Sequence, residues 1–310
     1  MLAPLLPQGL GGTKIRKKTV YAYAFNIDTY APTFSEAPFS LDPSWVDQTA
    51  PFLADLLQAP NYNGWVYGGV TMGQPGLLAA GGGSFLFDGS SGYVEILGGF
   101  PSVISGDNPV SVAVLFKTNS TSQQQFFDAG NSGSNYEAFQ IGLTQNGGVG
   151  GGPPTNTPGV YFVNWANDIY IPGLNLGDGK NHLLILTLSG KTVNVYIDNT
   201  QPQGYIGTGS WSGLTSQPFT LPNTPNILAK PPLIGKARSA IWSTGSAFWN
   251  GNLAEPAIFN FALSSSQASA IFSAISSTNA STYPDTILGD SPTGYWRFNE
   301  KGGLIAANSA

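Results

Sequence analysis

Apolar residues in this chain recur at a period of two far more often than at 3.6. Thr19–Ile27 places Tyr21, Tyr23, Phe25 and Ile27 on one face and Val20, Ala22 and Ala24 on the other, the pattern of a strand with an aromatic face. Phe85–Phe87 runs into the turn-forming Asp88-Gly-Ser-Ser-Gly92 and then Tyr93–Ile96, the signal of a hairpin. Val110–Phe116 sets Val110, Val112, Val114 and Phe116 on one side. Leu183–Leu188 is apolar on both sides, as a central strand requires. After the Ser189-Gly190 turn, Thr192–Asp198 points Val193, Val195 and Ile197 inward. Leu253–Phe261 reads as a further strand interrupted by Pro256, which lacks an N–H for the ladder and so belongs at an edge or a bulge.

Helical signals are short. Asp42 before Pro43 has the form of an N-cap followed by proline at the first helical position, and Pro51 stands similarly before Phe52–Leu57. Ser264–Ser277 spaces Gln267, Ile271 and Phe272 as a small amphipathic cap helix. Gly147–Pro158 and Ser210–Pro232 read as long polar loops, where binding usually resides. The pattern predicts an all-β sandwich with an N-terminal extension and few short helices.

Composition narrows the function. Charged residues make up 9% of the 310 residues, against ~25% in ordinary soluble proteins, while 40 glycines and 23 prolines leave little room for long helices. A formal charge of −5 gives no general attraction to nucleic acid. The basic run Lys14, Arg16, Lys17 and Lys18 reads first as a solvated arm. The absence of cysteine excludes disulfides, thiolate metal sites and cysteine nucleophiles. No stretch reaches the ~18 apolar residues of a membrane span, and Met1–Leu10, with its charges after the apolar part and two prolines within it, does not read as a secretory signal. A polar, weakly charged surface without an export signal suits a virion protein, made in the cytoplasm and released by lysis.

Several segments resemble the laminin-G-like jelly-roll modules of the concanavalin A-like superfamily. Gly69-Val-Thr-Met-Gly-Gln-Pro-Gly76 precedes Phe87-Asp-Gly-Ser-Ser-Gly-Tyr-Val-Glu-Ile96; Lys180-Asn-His-Leu-Leu184 and Lys191–Asp198 follow; Ile234-Gly-Lys236 leads to Trp249-Asn-Gly-Asn-Leu-Ala-Glu255, similar to a closing F-x-G-x-I-D-E strand. The resemblance covers about residues 64–277 and implies a two-sheet antiparallel jelly roll. Asp290-Ser-Pro-Thr-Gly-Tyr-Trp-Arg-Phe-Asn-Glu300 resembles the run D-x-P-x-x-Y-W-R-L-x-E that begins such a module. Here it stands at the end of the chain, as a circular permutation would place it. The resulting division is an arm and extension over 1–60 and a sandwich over 61–310, to which 281–310 supply a permuted first strand. Residues 290–300 are expected to form that strand, inserted in the same chain or donated to a neighbour, with 278–289 as the span that reaches the sheet.

The candidate chemistry is sparse. Sandwich glycosidases of the superfamily carry Glu-x-Asp-x-Glu on one strand; that triplet is missing, the acidic residues are scattered singly, and Glu95 and Glu255, which lie in strands, could converge only by chance. His182, the sole histidine, begins an apolar strand where packing accounts for it. Asp88, Asp128 and Asp168 lie near Gly, Asn or Ser, which suits calcium coordination and turn capping equally. Calcium is thus the one cofactor left open. Trp165, Trp211, Trp242 and Trp249, in or beside loops, are candidate platforms for sugar rings, and equally candidate loop anchors or interface residues. Tyr21, Tyr23, Phe25 and Ile27, with Tyr295, Trp296 and Arg297, are the expected assembly residues. The sequence therefore predicts a non-enzymatic virion structural or decoration protein, probed against a carbohydrate-binding module of a tail fibre and, further off, a glycoside hydrolase. Its expected partners are other virion proteins, copies of itself and host surface glycans.

Overall fold

The computed structural model describes residues 62–96, 102–131, 134–144, 157–207, 211–238 and 247–310. The expected strand at 19–27, the basic run, the helices over 42–57, the assembly residues Tyr21, Tyr23, Phe25 and Ile27, most of the 147–158 loop, and Trp242 lie outside them.

In chain order the strands are β1 (Gly64–Tyr67), β2 (Val70–Leu78), β3 (Gly81–Asp88), β4 (Tyr93–Ile96), β5 (Val110–Lys117) and β6 (Gln124–Gly130). They continue as β7 (Ala138–Thr144), β8 (Gly159–Val163), β9 (Asp168–Pro172), β10 (His182–Ser189), β11 (Thr192–Ile197) and β12 (Tyr205–Gly207). Next come β13 (Phe219–Thr220), β14 (Leu233–Ile234) and β15 (Asn250–Phe259). Two helices follow, α1 (Ser265–Ile275) and α2 (Thr282–Gly289), and then β16 (Gly294–Tyr295) and β17 (Ile305–Ala306).

Two antiparallel sheets form a jelly-roll sandwich. The first runs β12-β9-β8-β7-β6-β14-β4-β1-β17 and the second β13-β11-β10-β5-β15-β3-β2, with β16 attached to β15. The residues predicted to face inward do so: Val112, Val114, Phe116, Leu184, Leu186 and Val195 of the second sheet share a core with Phe139, Ile141, Val160 and Phe162 of the first. The sheets end in short strands at three edges. The fourth edge, β2, carries Pro75 and two register shifts, features that discourage edge-to-edge pairing.

The two-sided apolarity of β10 has a specific cause. Leu183 and Ile185, together with Ala113, Leu115, Ala254, Ala257 and Phe259, form a second core on the outer face of the second sheet, closed by Ala268, Ile271, Tyr283 and Ile287 of the helices. Helix α1 starts where the sequence placed it, on a capping box in which the Ser264 hydroxyl accepts from the Gln267 amide and the Gln267 side chain accepts from the Ser264 amide. Helix α2 was not foreseen; it stands where a plain connecting span was expected. Among the described residues no helix is long and apolar enough to cross a membrane.

Pro256 lies in a bulge of β15, between β5 and β3, where the register shifts from Ala254 to Ala257 and Glu255 takes a φ of 54°. At the C-terminus the strand is shorter than 290–300. Gly294–Tyr295 alone pair with β15, opposite Ile258 and Ala257, after which Trp296 bridges Asn308 and Ile305–Ala306 pair with β1. All of these partners belong to the same chain.

Candidate functional site

With α1 and α2 seated on the second sheet, the first sheet's outer face is where side chains of mixed character stand half-exposed. On β1 the core takes Val66, so alternation turns Trp65 and Tyr67 outward; on β4 it takes Val94 and Ile96, which turns Tyr93 and Glu95 outward. Tyr67 and Tyr93 face each other across the β1–β4 pair and stack with centroids 4.7 Å apart and planes 12° from parallel. The Lys236 ammonium lies 4.2 Å from the Tyr93 centroid and 5.2 Å from that of Phe248. The Tyr67 hydroxyl bonds the Glu95 carboxylate, and burial followed by that carboxylate raises the Tyr67 pKa. Tyr93 is raised by the same two causes. Both phenols therefore keep their protons across the physiological range.

The result is a ridge, Glu95–Tyr67–Tyr93–Lys236–Phe248, with rings packed flank to flank and polar tips uppermost. Its backbone is fixed. The Gly235 amide donates to the Phe126 carbonyl at 2.9 Å, the Trp249 amide donates to Gly235 at 2.8 Å, and Lys236 bridges Phe248. Gly235 has a φ of 83°, and a Cβ there would lie 2.6 Å from the Phe87 ring, so only glycine lets the segment approach this closely. Tyrosine hydroxyls, an ammonium and a carboxylate above apolar flanks can hydrogen-bond a polyhydroxylated ligand. The sequence reading passed over these residues. The signal was the outward phase of two short strands, Trp65/Tyr67 and Tyr93/Glu95, and only strand order brings Lys236 and Phe248 beside them.

The tryptophans expected as platforms separate. Trp249 is fully buried, 4.4 Å from the Phe126 ring and 5.6 Å from Phe116, and is a core residue. Trp165 and Trp211 are half-buried and pack on Tyr161, Val163, Tyr170 and Ala237 at the far end of the first sheet. They do not join the ridge.

The three aspartates each serve a different set of local partners. Asp88 accepts from the Ser90, Ser91 and Gly92 amides and from both serine hydroxyls, which together hold its pKa below the usual carboxylate range against the opposing effect of burial. It is a turn cap. Asp128 is buried, pairs with Arg238 at 3.0 Å and accepts from Gln140 at 2.6 Å; desolvation nevertheless raises its pKa. Asp168 accepts from the Asn164 amide at 3.2 Å. Among the described residues no group of three or more His, Asp or Glu is placed to hold a metal ion.

Tyr295, Trp296 and Arg297, expected as assembly residues, are used within the chain. Tyr295 donates its hydroxyl to Glu255, the indole N–H of Trp296 donates to the Tyr62 carbonyl at 2.8 Å, and Arg297 lies 3.6 Å from Glu255. Tyr295 and Trp296 are fully buried. His182 does more than pack. It is held between Asp198 at 2.6 Å and Asp178 at 3.0 Å, and the Asp198 bond is the main reason its pKa is raised.

Glu95 and Glu255 are far from forming a catalytic pair. Glu95 stands on the outer face of the first sheet, whereas Glu255 is buried against Tyr295 on the outer side of the second.

No protein-family model matches the chain, and no curated protein sequence does. Solved structures align with part of the chain. Mouse laminin alpha1 chain domains LG4-5 align at 16% identity over 58% of this chain and 44% of that one, with a TM-score of 0.36. Domain 4 of AbnA, a GH43 extracellular arabinanase from Geobacillus stearothermophilus solved with arabinotriose, aligns at 18% identity over 64% and 84%, with a TM-score of 0.40. The botulinum neurotoxin serotype C1 binding domain aligns at 15% identity over 71% and 49%, with a TM-score of 0.43. The chain thus spans about half the length of the laminin and neurotoxin structures.

Proposed function

We propose that this chain is a non-catalytic recognition module that binds glycans through the ridge of Tyr67, Tyr93, Glu95 and Lys236. The observation that carries this reading is the ridge itself: hydrogen-bonding tips held on a rigid backbone, on the sheet face that the helices leave alone. Two-carboxylate hydrolysis sets its acids ~5–10 Å apart across one cleft. Glu95 and Glu255 sit on opposite outer sides of a sandwich whose sheets are themselves ~10 Å apart, and Glu255 is already bonded to Tyr295 and Arg297. On this reading the module decorates a virion and presents the ridge to surface glycans. The virion setting rests on the weakly charged, cysteine-free composition.

A glycan array probed with the whole chain and with a Tyr67→Ala/Tyr93→Ala variant tests the reading. The wild type is expected to retain a defined subset of glycans, and the variant, still folded by circular dichroism, to lose at least about ten-fold in affinity, as removal of two hydrogen-bonding contacts should cause. A blank array, or a folded variant that binds like the wild type, would overturn it.

A further inference from the structure

Lys236 differs from the other cation on the first sheet's outer face. Arg238 is spent on Asp128, with its guanidinium 3.0 Å from that carboxylate. Among the described residues Lys236 makes no ion pair; its ammonium is set over Tyr93, with Phe248 beyond. The nearby carboxylate on the same face, Glu95, is bonded to the Tyr67 hydroxyl at the other end of the ridge. An ammonium against two aromatic rings has exchanged part of its hydration for attractive contacts with their faces. Its backbone is tied to Phe126, Phe248 and Trp249, so little conformational freedom is lost when an anion arrives. The ridge therefore ends in a positive charge that no described carboxylate pairs with, beside two phenol hydroxyls.

We infer that Lys236 makes the ridge selective for a pyranose bearing a carboxylate, a hexuronic or sialic acid residue. This deepens the glycan reading above and rests on it. The sugar carboxylate pairs with the Lys236 ammonium, and its ring hydroxyls meet the Tyr67 and Tyr93 hydroxyls and donate to Glu95. A chain with formal charge −5 and a carboxylate within the ridge disfavours a polyanion. A single acid group among neutral sugars fits both charges.

The test titrates the whole chain by calorimetry with lactose, sialylated lactose and a glucuronate-bearing disaccharide. It is repeated with Lys236→Met, which keeps the stem over Tyr93 and removes the charge. An acidic sugar is expected to bind about ten-fold tighter than lactose at low salt, with the margin shrinking as salt rises. Lys236→Met is expected to erase that margin, so that the acidic sugars and lactose bind the variant alike. Preference for one acidic sugar identifies which acid the site takes. Equal binding of all three sugars, indifferent to Lys236→Met, would overturn the acid selectivity and leave the ridge standing as a neutral-sugar site. Binding of none of them by the folded wild type, together with a blank array, would overturn the ridge as well.

Discussion

Glu255 illustrates what one carboxyl does when a bulge turns it into a core. It is 1% exposed, and desolvation, partly offset by Tyr295 and Arg297, pushes its pKa from 4.5 up to about 7. Between those values the folded chain holds a proton that the unfolded chain has released, so stability falls as pH rises. The stabilising contribution is complete below pH 4.5 and gone above about 7, and amounts to about 3 kcal/mol at ~1.36 kcal/mol per pH unit. His182, with its raised pKa, acts in the same direction at higher pH, whereas Asp88 and Asp178, both lowered, act oppositely in acid. The difference between wild type and Glu255→Gln isolates the effect. Denaturant midpoints from pH 4.5 to 7.5 are expected to show the wild type losing stability relative to the variant, and a pH-independent difference would count against a buried, titrating Glu255.

Among the elements, the C-terminal segment departs most from its apparent size. Two residue pairs hold β16 to β15 and two hold β17 to β1, too few hydrogen bonds to anchor 21 residues by backbone pairing alone. Side chains anchor it instead. Trp296 and Phe298 enter the main core, where Phe298 stacks on Phe85 with centroids 4.2 Å apart and planes 5° from parallel, while Tyr295 joins the core beneath the helices. Trp296→Ala is expected to cost about 3–5 kcal/mol by leaving a cavity, read from urea unfolding. Truncation after Ser277 removes α2 and all three rings and is expected to abolish cooperative unfolding. A Trp296→Ala loss below about 1 kcal/mol would place the ring outside the core.

Across the molecule, the helices allocate the two outer faces. One is sealed by α1 and α2, and the other bears the ridge. Stability and recognition should therefore separate. Ile271, fully buried on the inner face of α1, contributes to the seal, so Ile271→Ala is expected to cost about 2–5 kcal/mol while the folded protein keeps its sugar affinity. Affinity that falls in step with stability in a fully folded sample would show that the faces are coupled. The same allocation explains what the sequence could tell about the site. Asp88 lies in a turn and was legible as a possible cap, because an Asx turn is a local event. The burial of Trp249 was not legible locally, because the rings that cover it, Phe116 and Phe126, come from β5 and β6.

Local rules sufficed for the sandwich class, the inward residues of β5, β10 and β11, the short helix within 264–277 and a break at Pro256, since alternation, helical spacing and the missing proline N–H act within a few residues. The resemblance of 290–300 to a module start also pointed to the C-terminal strand. Tertiary structure decided that Pro256 lies in a bulge of a central strand, that Glu255 is buried beneath Tyr295, and that Asp88, Asp128 and Asp168 serve separate ends. It also brought Tyr67, Tyr93, Lys236 and Phe248 together from three distant stretches. These outcomes depend on which strands are neighbours in a sheet and which face a helix covers. No periodicity along the chain encodes them, because they arise from packing between residues that are far beyond one element's length apart in sequence, Glu255 and Tyr295 by 40 positions.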